Sequence, residues 1–163
     1  MKQEPCDFSH GRFRGLEKAD SGKITDISHK KISAVFQDDS LCENLSVLLN
    51  IKLVCENLGN LEIENALEVL DLKGCINKRV RELSGGMKRR IAILRALLYD
   101  FDLLIMDEPF KGLDMETKYK VMDFVIGRLE NKSAIIITHD MDDIKYFRSH
   151  KESIIDFKMP LIY

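Results

Sequence analysis

LSGGMKRR (Leu83–Arg90), LLIMDEP (Leu103–Pro109) and IIITHD (Ile135–Asp140) decide how this chain folds. LLIM is a continuous apolar run, as expected of a strand buried on both faces, and Pro109 ends it because proline cannot donate to a ladder. Ala134–Ile137 is a second fully apolar run, and ISAVF (Ile32–Phe36) is a third with β-branched residues. Helical segments lie between them. Ser84 is a candidate N-cap for a helix through IAILRALLYD, Thr117–Leu129 reads as amphipathic, and Asp140 caps a last helix. Leu41–Leu72 also reads as helical: Leu61, Ile63, Ala66, Leu67, Val69 and Leu70 fall mostly on one face, with Asn60 as N-cap and Gly74 as the stop. GLEKADSG (Gly15–Gly22) ends in a turn, Ile154–Phe157 is a candidate final strand, and residues 1 to 14 show no period. Strands alternating with helices predict an α/β fold with a largely parallel sheet.

Composition narrows the function classes. At 163 residues and 45% hydrophobic, the chain fits one domain with a core of its own. Its 25 basic and 27 acidic residues give a net charge of -2, without the basic face that nucleic acid requires. The one basic cluster, Lys88–Arg90, reads as a solvated helical turn. Cys6, Cys42, Cys55 and Cys75 form no CxxC pair, so reduced thiols are expected rather than structural zinc. There is no bilayer-length apolar stretch, and MKQEPCDFSHGRFRG lacks the hydrophobic centre of a secretory signal. A soluble, cytoplasmic protein is expected.

Each apolar strand is followed by a chemically useful residue: Gln37 after ISAVF, Asp107 and Glu108 after LLIM, His139 after IIIT. Ligands of an open parallel sheet sit beyond the carboxyl ends of its strands, so all three groups should meet at one edge. His139 alone could be an ordinary structural histidine; the three together argue for a site. Adjacent carboxylates on an extended strand face opposite sides. One of the pair can hold a hard cation such as Mg2+, usually through water, while the other faces a reacting phosphate and its attacking water. Ser84-Gly85-Gly86 opens a helix whose bare N–H groups and dipole favour an anion.

These motifs resemble those of the ATP-binding cassette (ABC) nucleotide-binding domains. LSGGM is similar to the signature LSGGQ, LLIMDEP to the Walker B strand, KGLD (Lys111–Asp114) to the D-loop, His139 to the switch histidine and AVFQ (Ala34–Gln37) to the Q-loop. The resemblance runs from about Gly15 to the end. It implies a P-loop NTPase-like sheet, in one partial domain spanning 1–163, with a helical subdomain at 41–82 and an unmatched segment at 1–14. It further implies that Glu108 polarises the attacking water, Asp107 holds Mg2+ through water, Gln37 touches the metal and senses a transmembrane permease subunit, and His139 contacts the γ-phosphate. Ser84, Gly85 and Gly86 would bind ATP held by a second nucleotide-binding domain, and Asp114 would lie at that seam. Met87 in place of glutamine leaves the backbone donors intact.

A Walker A loop, GxxxxGK[ST], is missing. The single Gly-Lys pair, Gly22-Lys23, has Glu17 where the first glycine belongs and Ile24 where the hydroxyl belongs. GLEKADSGKI resembles instead the segment that follows the P-loop helix, which places the loop upstream of Met1. The expectation is an ABC transporter ATPase subunit, with ATP and Mg2+ as cofactors bound weakly by this chain, peripheral on the inner face of the cell membrane. The helical region and FQDDSL resemble importers of the nitrate, sulfonate and taurine type. The alternative is a non-catalytic module that lends its signature or a docking surface to a partner. A DNA-repair or chromosome ATPase would carry coiled-coil heptads or a zinc module, and the chain has neither.

Overall fold

In a computed structural model, residues 29–150 are described, and the account that follows concerns the unit beginning at Lys31. The turn at Gly15–Gly22, the Gly22-Lys23 pair and the candidate strand Ile154–Phe157 lie outside the described residues. Three strands, β1 (Ile32–Val35), β2 (Leu103–Asp107) and β3 (Ser133–Ile137), form a wholly parallel sheet in the order β1-β2-β3. The pairing runs flush, with Val35 opposite Met106 and Asp107 opposite Ile137, so the three carboxyl ends share one edge. The central strand carries the unbroken apolar run: Leu104, Ile105 and Met106 are buried, as a strand covered on both faces requires. Ala134–Ile137 of β3 are half-buried.

Five α-helices and a short 3-10 helix (Val80–Glu82) accompany the sheet among the described residues, the α-helices being α1 (Val47–Lys52), α2 (Asn60–Val69), α3 (Gly85–Leu98), α4 (Met115–Arg128) and α5 (Met141–His150). Helix α3 packs on the sheet and is tied to β1 by the Ser33 hydroxyl, which donates to the Ala96 carbonyl at 2.8 Å. Its Ile91, Ile93 and Leu94 are fully buried, each contributing about 1.5–3 kcal/mol by transfer from water.

The span 41–72 is not one helix. Asn50, fully buried, accepts from the Cys42 N–H at 2.8 Å and donates to the Cys42 and Ser46 carbonyls at 3.1 and 3.0 Å. This side chain satisfies backbone groups that a helical ladder would otherwise have to satisfy, so Leu41–Leu45 runs as turn instead. Ser46 then caps α1, and a second break precedes α2. Gly59, not Asn60, is the N-cap of α2, and Asn60 is its first helical residue. The helix ends at Val69, five residues before Gly74, which turns with φ +75°, and Asp71 already adopts φ +54°. Helix α4 begins at Met115, two residues before Thr117, because Asp114 serves as its cap.

Candidate functional site at the carboxyl edge of the sheet

Glu108 follows the last residue of β2 and leaves the strand with φ +44°, a left-handed conformation that non-glycine residues seldom adopt. The turn directs its carboxylate across to the end of β3. Glu108 Oε1 accepts from the His139 backbone N–H at 3.0 Å and lies 2.5 Å from His139 Nδ1. A carboxylate partner selects the imidazole tautomer with its proton on Nδ1 and leaves Nε2 for a ligand. The Glu108 side chain is 18% exposed and that of His139 79% exposed, so the pair has one protected and one open member.

The loop bearing His139 is fixed from below by helix α4. Lys118, with a side chain only 7% exposed, bonds to Asp140 Oδ2 at 2.5 Å and pairs with Asp143. Burial alone pulls the Lys118 pKa down; hydrogen bonds and the charges of Asp140 and Asp143 outweigh it and leave the pKa raised. The Thr138 hydroxyl donates to Asp143 at 3.0 Å and accepts from the Asp140 N–H at 3.1 Å, which closes the network around His139. The backbone N–H of Lys118 also donates to the Asp114 carbonyl at 2.8 Å.

Arg89 corrects the reading of Lys88–Arg90 as a solvated turn. It is 6% exposed, and its guanidinium donates to the carbonyls of Phe36, Asp107 (2.9 Å), Glu108 (2.8 Å) and Pro109 (2.8 Å), and to Asp39 Oδ1 at 3.1 Å. One cation thereby joins the ends of β1 and β2. Arg90 is tied in as well, donating to the carbonyls of Gly86 at 3.2 Å and Leu70 at 2.7 Å, while Lys88 pairs with Glu43 at 2.7 Å. The sequence held a signal for Arg89. It stands at the first position of the buried stripe 89, 92, 93, 96, where a solvated charge has no place.

Gln37 follows Phe36 and is exposed. Ser84 accepts from the Met87 N–H at 3.3 Å and caps α3; Ser84 and Gly85 are exposed. Asp114 accepts from the Thr117 N–H at 3.0 Å, and that bond, the largest cause, holds its carboxyl below the ordinary range. The Gln37, Asp107, Glu108 and His139 strand ends are therefore brought to one edge, with the signature on α3 and Asp114 at the head of α4. An oxygen donor set of Asp107 and Gln37 suits a hard cation that keeps most of its water and takes phosphate oxygens, as Mg2+ does.

A parallel sheet with a carboxylate and a histidine paired at its carboxyl edge, helices around it and a capped glycine pair opening one of them, has the P-loop NTPase fold in its ABC ATPase form. A solved ATP-binding cassette, dimeric in a post-hydrolysis state with ADP and Pi, matches with a TM-score of 0.64 and 28% identity over 71% of this chain and 55% of that one. The chain belongs to the ABC transporter family, whose pattern matches residues 11–111. It is 35% identical to a methionine import ATP-binding protein of Lactobacillus acidophilus, over 77% of this chain and 38% of that protein. It is 32% identical to an aliphatic sulfonates import ATP-binding protein of Bacillus subtilis (81% and 56%) and 34% identical to a taurine import ATP-binding protein of Pseudomonas savastanoi (79% and 55%). The chain thus spans about a third to a little over half of the curated relatives it matches. Among the described residues no helix is long and apolar enough to cross a membrane.

Proposed function

We propose that this chain is the ATP-binding subunit of an ABC importer, coupling ATP binding and hydrolysis to solute uptake from the inner face of the cell membrane. The observation that carries the reading is the Glu108–His139 pair at the shared strand edge, with Oε1 accepting from the His139 N–H at 3.0 Å. In this role Glu108 polarises the attacking water, His139 meets the γ-phosphate, and Asp107 with Gln37 holds Mg2+, which supplies charge neutralisation on the phosphates. Gln37, exposed next to the Arg89-bound Phe36 carbonyl, answers to a permease subunit. The Ser84-Gly85-Gly86 helix start and Asp114 face a second nucleotide-binding domain. Relatives named for sulfonate, taurine and methionine import support the importer class.

A second reading is favoured by one observation. Among the described residues, nothing beyond its chain neighbours and its own helix backbone lies within 4 Å of the place a Cβ on Gly85 would occupy, so packing there does not demand a glycine. A phosphate on another subunit would. On that reading the chain lends its signature to ATP held by a P-loop-bearing partner and does no chemistry itself.

Phosphate release by a P-loop-bearing importer subunit, measured with and without this chain, separates the two. Stimulation is expected. If Glu108→Gln lowers it about a hundredfold or more, the chain's own carboxylate acts on ATP. If Glu108→Gln preserves stimulation while Gly85→Ala removes it, the chain is a signature donor. No stimulation in any mixture overturns both.

A further inference from the structure

We propose that Arg89 is the positioning residue that holds Glu108 in its left-handed backbone conformation and ties it to the Gln37 loop. The inference rests on the reading of Glu108 as the residue that activates water. Backbone in this region costs about 1–3 kcal/mol and persists only where its surroundings over-determine it. Here one side chain supplies much of that, beside the Glu108 N–H bond to the Ile137 carbonyl at 2.9 Å and the Lys111 N–H bond to the Glu108 carbonyl at 3.3 Å. The carbonyls of three consecutive residues, Asp107, Glu108 and Pro109, all converge on the Arg89 guanidinium, at 2.9, 2.8 and 2.8 Å. A peptide carbonyl can turn this way only if its acceptor capacity is met, and water has little access beside a residue 6% exposed. Charge-assisted bonds to a rigid planar fork fix direction as well as distance.

The same fork reaches across to β1. Arg89 Nη1 donates to the Phe36 carbonyl, the peptide group adjoining Gln37, and to Asp39 at 3.1 Å. Gln37 is thus bracketed by two Arg89 contacts, and a displacement of that loop must either break them or carry the guanidinium along. Because the guanidinium also holds the Glu108 peptide, the carboxylate that meets His139 shifts with the loop. Arg89 touches no reacting atom in this scheme; it acts through Glu108.

The test reads the His139 backbone amide, whose N–H donates to Glu108 Oε1. In isotope-labelled full chain, Arg89→Ala should move this resonance to the position it takes in Glu108→Ala. It should also speed its hydrogen exchange about tenfold or more while the protein stays cooperatively folded. Arg89→Gln, which keeps two N–H donors, should restore the resonance part of the way to wild type. A folded Arg89→Ala with an unchanged His139 amide overturns the proposal. Where Arg89→Ala does not fold, Arg89→Gln decides: intermediate exchange at His139 and at 37–39 supports it, and wild-type exchange at both overturns it. Absence of stimulated phosphate release by the wild type would overturn the functional reading alone, since the amide signal requires no nucleotide.

Discussion

Gly85 and Gly86 are neighbours in the signature, yet the chain packs around only one of them. A Cβ on Gly86 would meet Leu113 Cδ2 at 3.7 Å, an ordinary contact, whereas one on Gly85 would meet nothing within 4 Å among the described residues beyond its own helix turn. Alanine is the better helix former by up to about 1 kcal/mol, so Gly85→Ala should leave the melting temperature unchanged or raise it. The same change should cut partner-stimulated phosphate release at least about tenfold, because a methyl group blocks amides aimed at an outside anion. A fall in both quantities would mean that Gly85 serves this chain's own fold. Ser84 is the converse case. Its hydroxyl caps α3, and Ser84→Ala should cost about 1 kcal/mol in chemical denaturation.

Asp114, one helix further on, carries a pH signature. Its folded pKa is lowered by the Thr117 N–H bond from an ordinary value of 3.8, so its contribution is present above that value and is lost as pH falls through the depressed one. Asp114→Asn keeps a cap but removes the titration. The melting-temperature gap between wild type and Asp114→Asn should therefore be widest near neutral pH and should close as the pH falls below the ordinary carboxylate value of 3.8 and through the depressed one.

At the scale of elements, helices α3 and α4 share a device. Each begins its buried stripe with a cation: Arg89 before 92, 93 and 96, and Lys118 before Val121, Met122 and Val125. The apolar positions seat the helix on its neighbours, and the cation at the head of the stripe reaches the loops at the carboxyl edge. Lys118→Met would strand Asp143, whose side chain is 4% exposed, without its countercharge. A loss of about 3–5 kcal/mol and a drop of roughly 10 °C in melting temperature should follow. Adding Asp143→Leu should recover part of it, because a buried pair removed whole is cheaper than a pair broken. If the single change costs under about 1 kcal/mol, the Lys118 network does not fix the His139 loop.

The same device marks the limit of reading the sequence alone. Strands β2 and β3 and the start of α3 were legible because an apolar run and a capping serine are local signals. The strand ends were legible because parallel topology gathers them at one edge. Long-range hydrogen bonding was not. Asn50 breaks the helical pattern of 41–72 through partners four to eight residues away, and Arg89, though its place in an apolar stripe marks it for burial, has acceptors 18 to 53 residues away that no local signal names. The turn that aims Glu108 at His139 has no signature of its own, since a glutamate at positive φ is favoured by neighbours and not by its own chemistry.

For the molecule as a whole, the balance of phosphate contacts sets what nucleotide can do. At the carboxyl edge the Asp107, Glu108 and His139 ends are assembled, and carboxylates there repel rather than attract a tetra-anionic polyphosphate. Attraction must come from elsewhere: from Mg2+, from a nest of backbone amides and from a lysine placed between the phosphates. The 163 residues contain no GxxxxGK[ST] loop to provide the last two; Gly22-Lys23 lacks both the leading glycine and the hydroxyl. Helix α3 offers its N-terminal amides, but its Ser84 and Gly85 stand exposed, suited to a nucleotide on another subunit. A polypeptide of these residues should therefore show no saturable heat when titrated with MgATP below about 1 mM, corresponding to less than about 4 kcal/mol of binding free energy. A P-loop-bearing subunit added to the cell should restore saturation, and Gly85→Ala should remove the restored part. Micromolar binding by the isolated chain that disappears on chelating Mg2+ would refute this account, because it would require phosphate ligands other than those the family motifs supply.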